Sequence, residues 1–218
     1  MEPPPSPVLV VEGLSKAFGK VDALRDLTCA LRPGEVVGVL GPNGAGKTTT
    51  LKLLLGMLRP SAGRATLLGL DCTRDAQRVR AVLLAARLGL TGGVGDDDGR
   101  LDLLTGGYSH GMKKKLALLL ALVHAPPVLL LDEPTNGLDP PSAARVRELL
   151  REQATGGAAV LVSTHLLDMA DRLCDRVLVL HLGRLLLDGT PAEMRRAAQV
   201  PPDAPLEAAF LPLVERAP

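Results

Sequence analysis

The chain has 218 residues and a formal net charge of +1. That length sets a single domain, or one domain with a small appendage. Interspersed charges and a near absence of aromatics, with Phe18, Tyr108 and Phe210 the whole set, exclude a basic nucleic-acid face and a base-stacking platform.

In chain order, residues 1–7 (MEPPPSP) are acidic and proline-rich, unlike a signal peptide, and read as a disordered tail. Val8–Leu14 and Leu27–Gly41 read as strands, the second broken by a turn at Arg32–Glu35. Lys47–Leu58 places Leu51, Leu54, Leu55 and Leu58 on one helical face. Ala65–Leu70 is a short strand, and a further strand is expected over 79–86. Val128–Asp132 is a continuous apolar run, as in a strand buried on both faces. Ala143–Glu152 is helical, 158–165 a strand and Leu166–Asp171 a short helix. Residues 177–189 form two strands around a Leu182-Gly183 turn. Thr190 then caps a helix, with Pro191 in the first turn and Glu193 completing a capping box. Residues 199–218 are Pro/Ala-rich and read as a loose tail with a helical turn at 206–213. Alternating strands and helices set an α/β sheet.

The middle of the chain is less periodic. Residues 91–99 read as a junction, and Asp96-Asp97-Asp98 as a solvated acidic loop. The longest apolar run, Leu116–Val123, falls well short of the roughly 20 residues that cross a bilayer. Cys29, Cys72 and Cys174 are odd in number and scattered, the pattern of reduced thiols in a cytosolic protein.

Two segments carry chemistry. Gly41-Pro42-Asn43-Gly44-Ala45-Gly46-Lys47-Thr48 satisfies G-x-x-x-x-G-K-[ST] between a strand and a helix. Its glycines let successive N–H groups turn inward around a phosphate, and the helix start faces the same anion. Lys47 reaches the β- and γ-phosphates, and the Thr48 hydroxyl ligates Mg²⁺. In "VLLLDEPTNGLDP", Asp132 ends a strand where a Mg²⁺-holding carboxylate belongs, and Glu133 follows where the attacking water lies. Two adjacent acids at a buried strand end require a cation or a proton between them.

With these motifs in this order, the chain resembles the ATP-binding-cassette (ABC) ATPases, in particular subunits that power exporters, over about 8–196. "GPNGAGKTT", through Thr49, resembles the Walker A loop. "LLLDEPTNGLDP" resembles Walker B, the catalytic glutamate at 133 and a D-loop reaching Asp139. "STHLLDMADRL" resembles the switch-histidine region and puts His165 near the γ-phosphate. "YSHGM" stands where the signature is commonly Leu-Ser-Gly-Gly-Gln, so Ser109 and Gly111 would serve the ATP held by a second subunit. "LSKAFGKVDAL" resembles the adenine-contacting loop, with Phe18 as its ring. His110, His124 and His181 have no such setting, and Lys113–Lys115 read as a solvated face.

The resemblance implies a P-loop NTPase core, a mostly parallel sheet flanked by helices, with an N-terminal antiparallel β subdomain. It assigns 8–198 to the ATPase domain and 199–218 to the tail. It also exposes a departure. The interval 87–107 is too short for the family's three-helix subdomain, and no glutamine stands where the glutamine loop belongs; Gln77 comes too early. The implied function is an ATPase using ATP and Mg²⁺ as the peripheral subunit of an exporter. It would pair with a second ATPase subunit and an integral membrane permease on the cytoplasmic face, with no nucleic acid. A nucleotide-binding module with weak or no hydrolysis is the alternative that the departure favours. A cassette acting on nucleic acid or ribosomes fits the near-neutral charge poorly.

Overall fold

The computed structural model describes residues 5–82 and 126–216. Among these residues the strands form two sheets. Strand β1 (Leu9–Phe18) and strand β2 (Val21–Leu31) make an antiparallel hairpin. Strand β4 (Ala62–Leu67) pairs with the other edge of β1, and β5 (Leu70–Asp71) with β4, giving the antiparallel order β2-β1-β4-β5.

The second sheet has the order β6-β7-β3-β8-β9. Strands β3 (Val36–Leu40), β6 (Val128–Asp132), β7 (Ala159–Thr164) and β8 (Arg176–His181) run parallel. Strand β9 (Arg184–Gly189) closes one edge antiparallel to β8. Burial on both faces explains the unbroken apolar runs: every residue of β3 and β7 is buried.

Side-chain alternation splits the core. Val37 and Val39 of β3 join Leu9, Leu14, Leu24 and Leu27 of the first sheet in one cluster, together with Leu51 and Leu54 of α1 (Lys47–Leu54). Val36 and Leu40 point the other way, into the cluster of the helical layer. That layer comprises α3 (Pro140–Thr155), α4 (Leu167–Leu173), α5 (Pro191–Ala198) and α6 (Leu206–Glu215). The α/β expectation holds, and so do the antiparallel first sheet and the mostly parallel second one.

Several boundaries differ from the sequence reading, each for a local reason. Helix α1 stops at Leu54 because the N–H groups of Met57 and Leu58 both turn back to the carbonyl of Lys52. Residues 65–70 contain a turn at Leu68-Gly69, so two strands stand where one was expected. Residues 79–82, the start of the expected 79–86 strand, belong instead to helix α2 (Ala76–Val82). Val79 alone points into the core there, which suits one helical face and not a strand buried on both sides. The stretch 199–216 is no loose tail. Leu206 and Ala209, three residues apart, are fully buried in α6 against α5 and α4. The capping box at Thr190 and Glu193 forms as expected, and its backbone and hydroxyl hydrogen bonds hold the Glu193 carboxyl below the usual carboxylate range. Burial pushes the thiols of Cys29, Cys72 and Cys174 up to about 12, and all three are free. No helix among the described residues is long and apolar enough to cross a membrane.

Candidate nucleotide-binding site

The register of the second sheet builds the site. Strands β6, β7 and β3 are adjacent and parallel, with Leu40 opposite Thr164 and Asp132 opposite Ser163. Their carboxyl ends therefore bring together the loop after β3, the acids after β6 and the histidine after β7, the usual place for a ligand in such a sheet.

The loop Gly41–Gly46 leads directly into α1, whose N-cap Gly46 makes no side-chain cap bond. The first N–H groups of the helix thus face the loop without a side-chain acceptor. Gly46 has φ of 105°, and a Cβ there would lie 2.5 Å from the carbonyl oxygen of Ala23. Only glycine lets the loop pass so close beneath β2. Asn43 and Gly44 form the exposed crest, Pro42 and Thr49 are half-buried, and Ala45 is buried.

Lys47 is only 7% exposed. Its Nζ donates to the carbonyls of Gly41 at 2.7 Å and Pro42 at 3.2 Å. The ammonium is thus folded back onto the loop it would cross to meet a phosphate. Thr48 Oγ1 donates to Asp132 Oδ2 at 3.0 Å. The other oxygen, Oδ1, accepts from Ser163 Oγ.

Glu133 has φ of 47°, a left-handed backbone that a β-substituted residue rarely adopts. Its N–H donates to the Ser163 carbonyl at 3.0 Å. Its Oε1 lies 2.8 Å from His165 Nδ1, so two side chains from segments 32 residues apart meet in space. Its Oε2 is buried and has no hydrogen-bond partner among the described residues. A buried carboxylate oxygen without a donor is costly, and such exceptions belong where a water or ligand completes the set.

This arrangement fits magnesium. The hydroxyl of Thr48 and the carboxylate of Asp132 are hard oxygen donors already in contact, with an unsatisfied carboxylate oxygen next in sequence. Among the described residues no group of three or more His, Cys, Asp or Glu could hold a metal alone.

Phe18 ends β1 and is 48% exposed, with the Lys16 ammonium 5.0 Å from its ring centroid. Its cross-strand partner is Val21. The close approach of Ala23 to Gly46 sets this hairpin beside the phosphate loop. Asp139 follows the Thr135–Leu138 turn and caps α3, accepting from the Ser142 N–H at 3.3 Å and the Ser142 hydroxyl at 2.6 Å. Ser109 and Gly111 lie outside the described residues, as do Tyr108, His110, Lys113–Lys115, His124, the Asp96–Asp98 run and the 87–107 interval. Ser163 was noticed in the sequence only as the setting of His165. The signal for it is the polar pair Ser163-Thr164 closing an otherwise apolar buried strand.

Comparison with known proteins agrees with this geometry. The family described as "ABC transporter" matches residues 24–86. A second family, "AAA domain, putative AbiEii toxin, Type IV TA system", matches residues 70–167. Daunorubicin resistance ATP-binding protein DrrA2 of Streptomyces coeruleorubidus is 38% identical, the match covering 83% of this chain and 66% of that protein. DrrA3 of the same organism is 37% identical over 86% of this chain and 69% of its own length. The chain thus spans about two thirds of these relatives. A Nod factor export ATP-binding protein I of Rhizobium johnstonii is 36% identical over 85% of this chain and 70% of that protein. Among solved structures, an ATP-binding subunit of an ABC transporter superposes with a TM-score of 0.78 at 29% identity, over 94% of this chain and 99% of that one. Together with the loop at residues 41–48 and the contacts among Thr48, Asp132, Glu133 and His165, these relatives lead to one assignment: the chain belongs to the ATP-binding proteins of ABC transporters.

Proposed function

We propose that this chain binds Mg-ATP and hydrolyses it as the peripheral subunit of an ABC exporter. It acts with a second ATPase subunit and a separate membrane permease at the cytoplasmic face. The reading rests chiefly on the meeting of Lys47, Thr48, Asp132, Glu133 and His165 at the carboxyl ends of three neighbouring strands. The names of the relatives, a daunorubicin resistance ATP-binding protein and a Nod factor export ATP-binding protein, support the direction of transport.

The phosphates sit on the N–H groups of residues 43–49, and Lys47 exchanges its two loop carbonyls, of Gly41 and Pro42, for phosphate oxygens. Thr48 and Asp132 hold magnesium, which supplies positive charge against the γ-phosphoryl oxygens when bound. Glu133 Oε2, without another partner, takes up the attacking water and orients it. His165 fixes the opposite oxygen of that carboxylate and so keeps Oε2 aimed. Phe18 offers its ring face to the base. Ser109, Gly111 and Asp139 serve the interface with the second subunit, in keeping with the sequence resemblance.

The region between Val82 and Val128 is short for this role. The alignment with DrrA3 runs over 219 positions yet uses only 86% of the chain, so stretches of that relative have no counterpart here. A clipped helical subdomain at 87–107 accounts for such gaps. Glu133→Gln is the test. It keeps the shape of the site but removes the base, so ATP binding persists while turnover falls roughly 10²–10⁴-fold. Unchanged turnover in that variant rejects the assignment of the base. Stoichiometric ATP binding without phosphate release in the parent chain, alone and with permease, reduces the protein to a nucleotide-binding module.

A further inference from the structure

We propose that Ser163 is the positioning residue of this site, holding Asp132 through its hydroxyl and Glu133 through its carbonyl, and that it thereby sets the affinity for nucleotide-bound Mg²⁺. The inference rests on the reading above, in which Thr48 and Asp132 serve that ion.

Ser163 is fully buried, at 0% exposure, and its strand neighbours Ala159–Val162 are buried and all apolar. A hydroxyl in such a strand must find a partner inside the protein. Thr164, the next residue, finds one locally by accepting the Leu166 N–H at 3.0 Å. Ser163 instead reaches across to the neighbouring strand, where the register puts it opposite Asp132, and donates to Oδ1. A hydrogen bond to a carboxylate is of the stronger, charge-assisted kind. With Oδ1 held, the plane of the carboxylate is fixed and Oδ2 is left to face Thr48. The main chain of the same residue accepts the N–H of Glu133 at 3.0 Å, which anchors the left-handed backbone that turns the glutamate toward His165. One residue thus braces both acids by separate atoms. Partners of this kind, which orient a metal ligand without touching the metal, typically account for 10–100-fold in metal affinity.

The test is calorimetric titration of the chain with ATP, in EDTA and at graded MgCl₂, for the parent, Ser163→Ala, Ser163→Cys and Ser163→Thr. In EDTA all four bind ATP alike, because the phosphate loop is untouched. The MgCl₂ concentration that half-maximally tightens binding rises roughly tenfold or more in Ser163→Ala. It rises also in Ser163→Cys, which keeps the volume but offers only a weak donor. Ser163→Thr retains the hydroxyl and recovers the parent value. Should Ser163→Ala fail to fold, the cysteine and threonine variants carry the measurement. A folded alanine or cysteine variant with the parent's magnesium requirement overturns the inference while leaving the ATPase reading intact. Equal loss of affinity with and without magnesium also overturns it, since that is mere structural damage. A parent chain whose ATP binding ignores magnesium overturns the metal assignment itself and this inference with it.

Discussion

The two ends of the five-stranded sheet handle charge in opposite ways. At the amino ends Arg176, Glu35, Asp188, Asp175 and Arg151 answer one another within the protein. Arg176, at 17% side-chain exposure, pairs with Glu35 at 2.7 Å and Asp188 at 2.5 Å and donates to the Ala30 carbonyl. Burial alone would pull its pKa down, but the hydrogen bonds it donates to Glu35 and Asp188 outweigh that and raise it. Asp175 accepts from the Val36 N–H and from Arg151. At the carboxyl ends the set is left open. Glu133 holds a strained backbone and an orphaned oxygen, and Lys47 is parked on carbonyls of its own loop. A closed network stabilises; an open one, in the same fold, is where local rules are broken for function.

Substitutions at the two ends should therefore separate binding from stability. The largest effect falls on binding: Lys47→Ala removes a charge-assisted contact worth up to about 3 kcal/mol, which is on the order of 100-fold in ATP affinity by calorimetry. Its melting temperature stays close to the parent's. A variant that binds ATP normally breaks the comparison at the open end.

The reverse pattern is expected of Arg176→Met. Leaving Glu35 and Asp188 without their cation costs about 3 kcal/mol, the lower range for a half-broken buried pair. For a domain of this size that lowers the melting temperature by roughly 10 °C. ATP affinity measured well below the transition is unchanged.

Phe18→Ala sharpens the picture of the open end. Loss of a stacking ring costs roughly tenfold in ATP affinity and leaves inorganic triphosphate affinity untouched. Equal losses for both ligands place the ring's role in the hairpin rather than with the base.

The smallest effect is a pH dependence outside both regions. The Glu193 carboxyl is lowered by its bonds to Thr190, so its contribution is present above its unfolded pKa. It fades as pH falls through the lower folded value. Glu193→Gln should flatten the acid limb of the thermal stability profile slightly, between about pH 4.5 and the lowered folded pKa.

What could be read from the sequence was what depends on neighbours along the chain. The phosphate loop, the Val128–Asp132 strand and the Thr190–Glu193 box each carry their reason within a few residues, and each stands where it was expected. Helix α2 was misread because Val79-Arg80-Ala81-Val82 offers apolar residues at spacings that suit either period. Helix α6 was undervalued because proline and alanine hid the Leu206/Ala209 pair that docks it. The role of Ser163 depends on which residue of β6 lies across from it. That register is settled by the packing of whole layers, and nothing local to the serine states it.

The turn between β8 and β9 has a mechanical consequence. Gly183 donates its N–H to the Ala45 carbonyl at 3.2 Å and accepts the Arg25 N–H at 2.7 Å. The cradle and the ring-bearing hairpin are thus riveted to one glycine by main-chain atoms, which drift in side-chain identity cannot loosen. A methyl at 183 would meet Ala23 at 3.0 Å, beside the very carbonyl that already crowds Gly46. The spacing between the ring and the cradle is therefore set by main-chain geometry at this one turn.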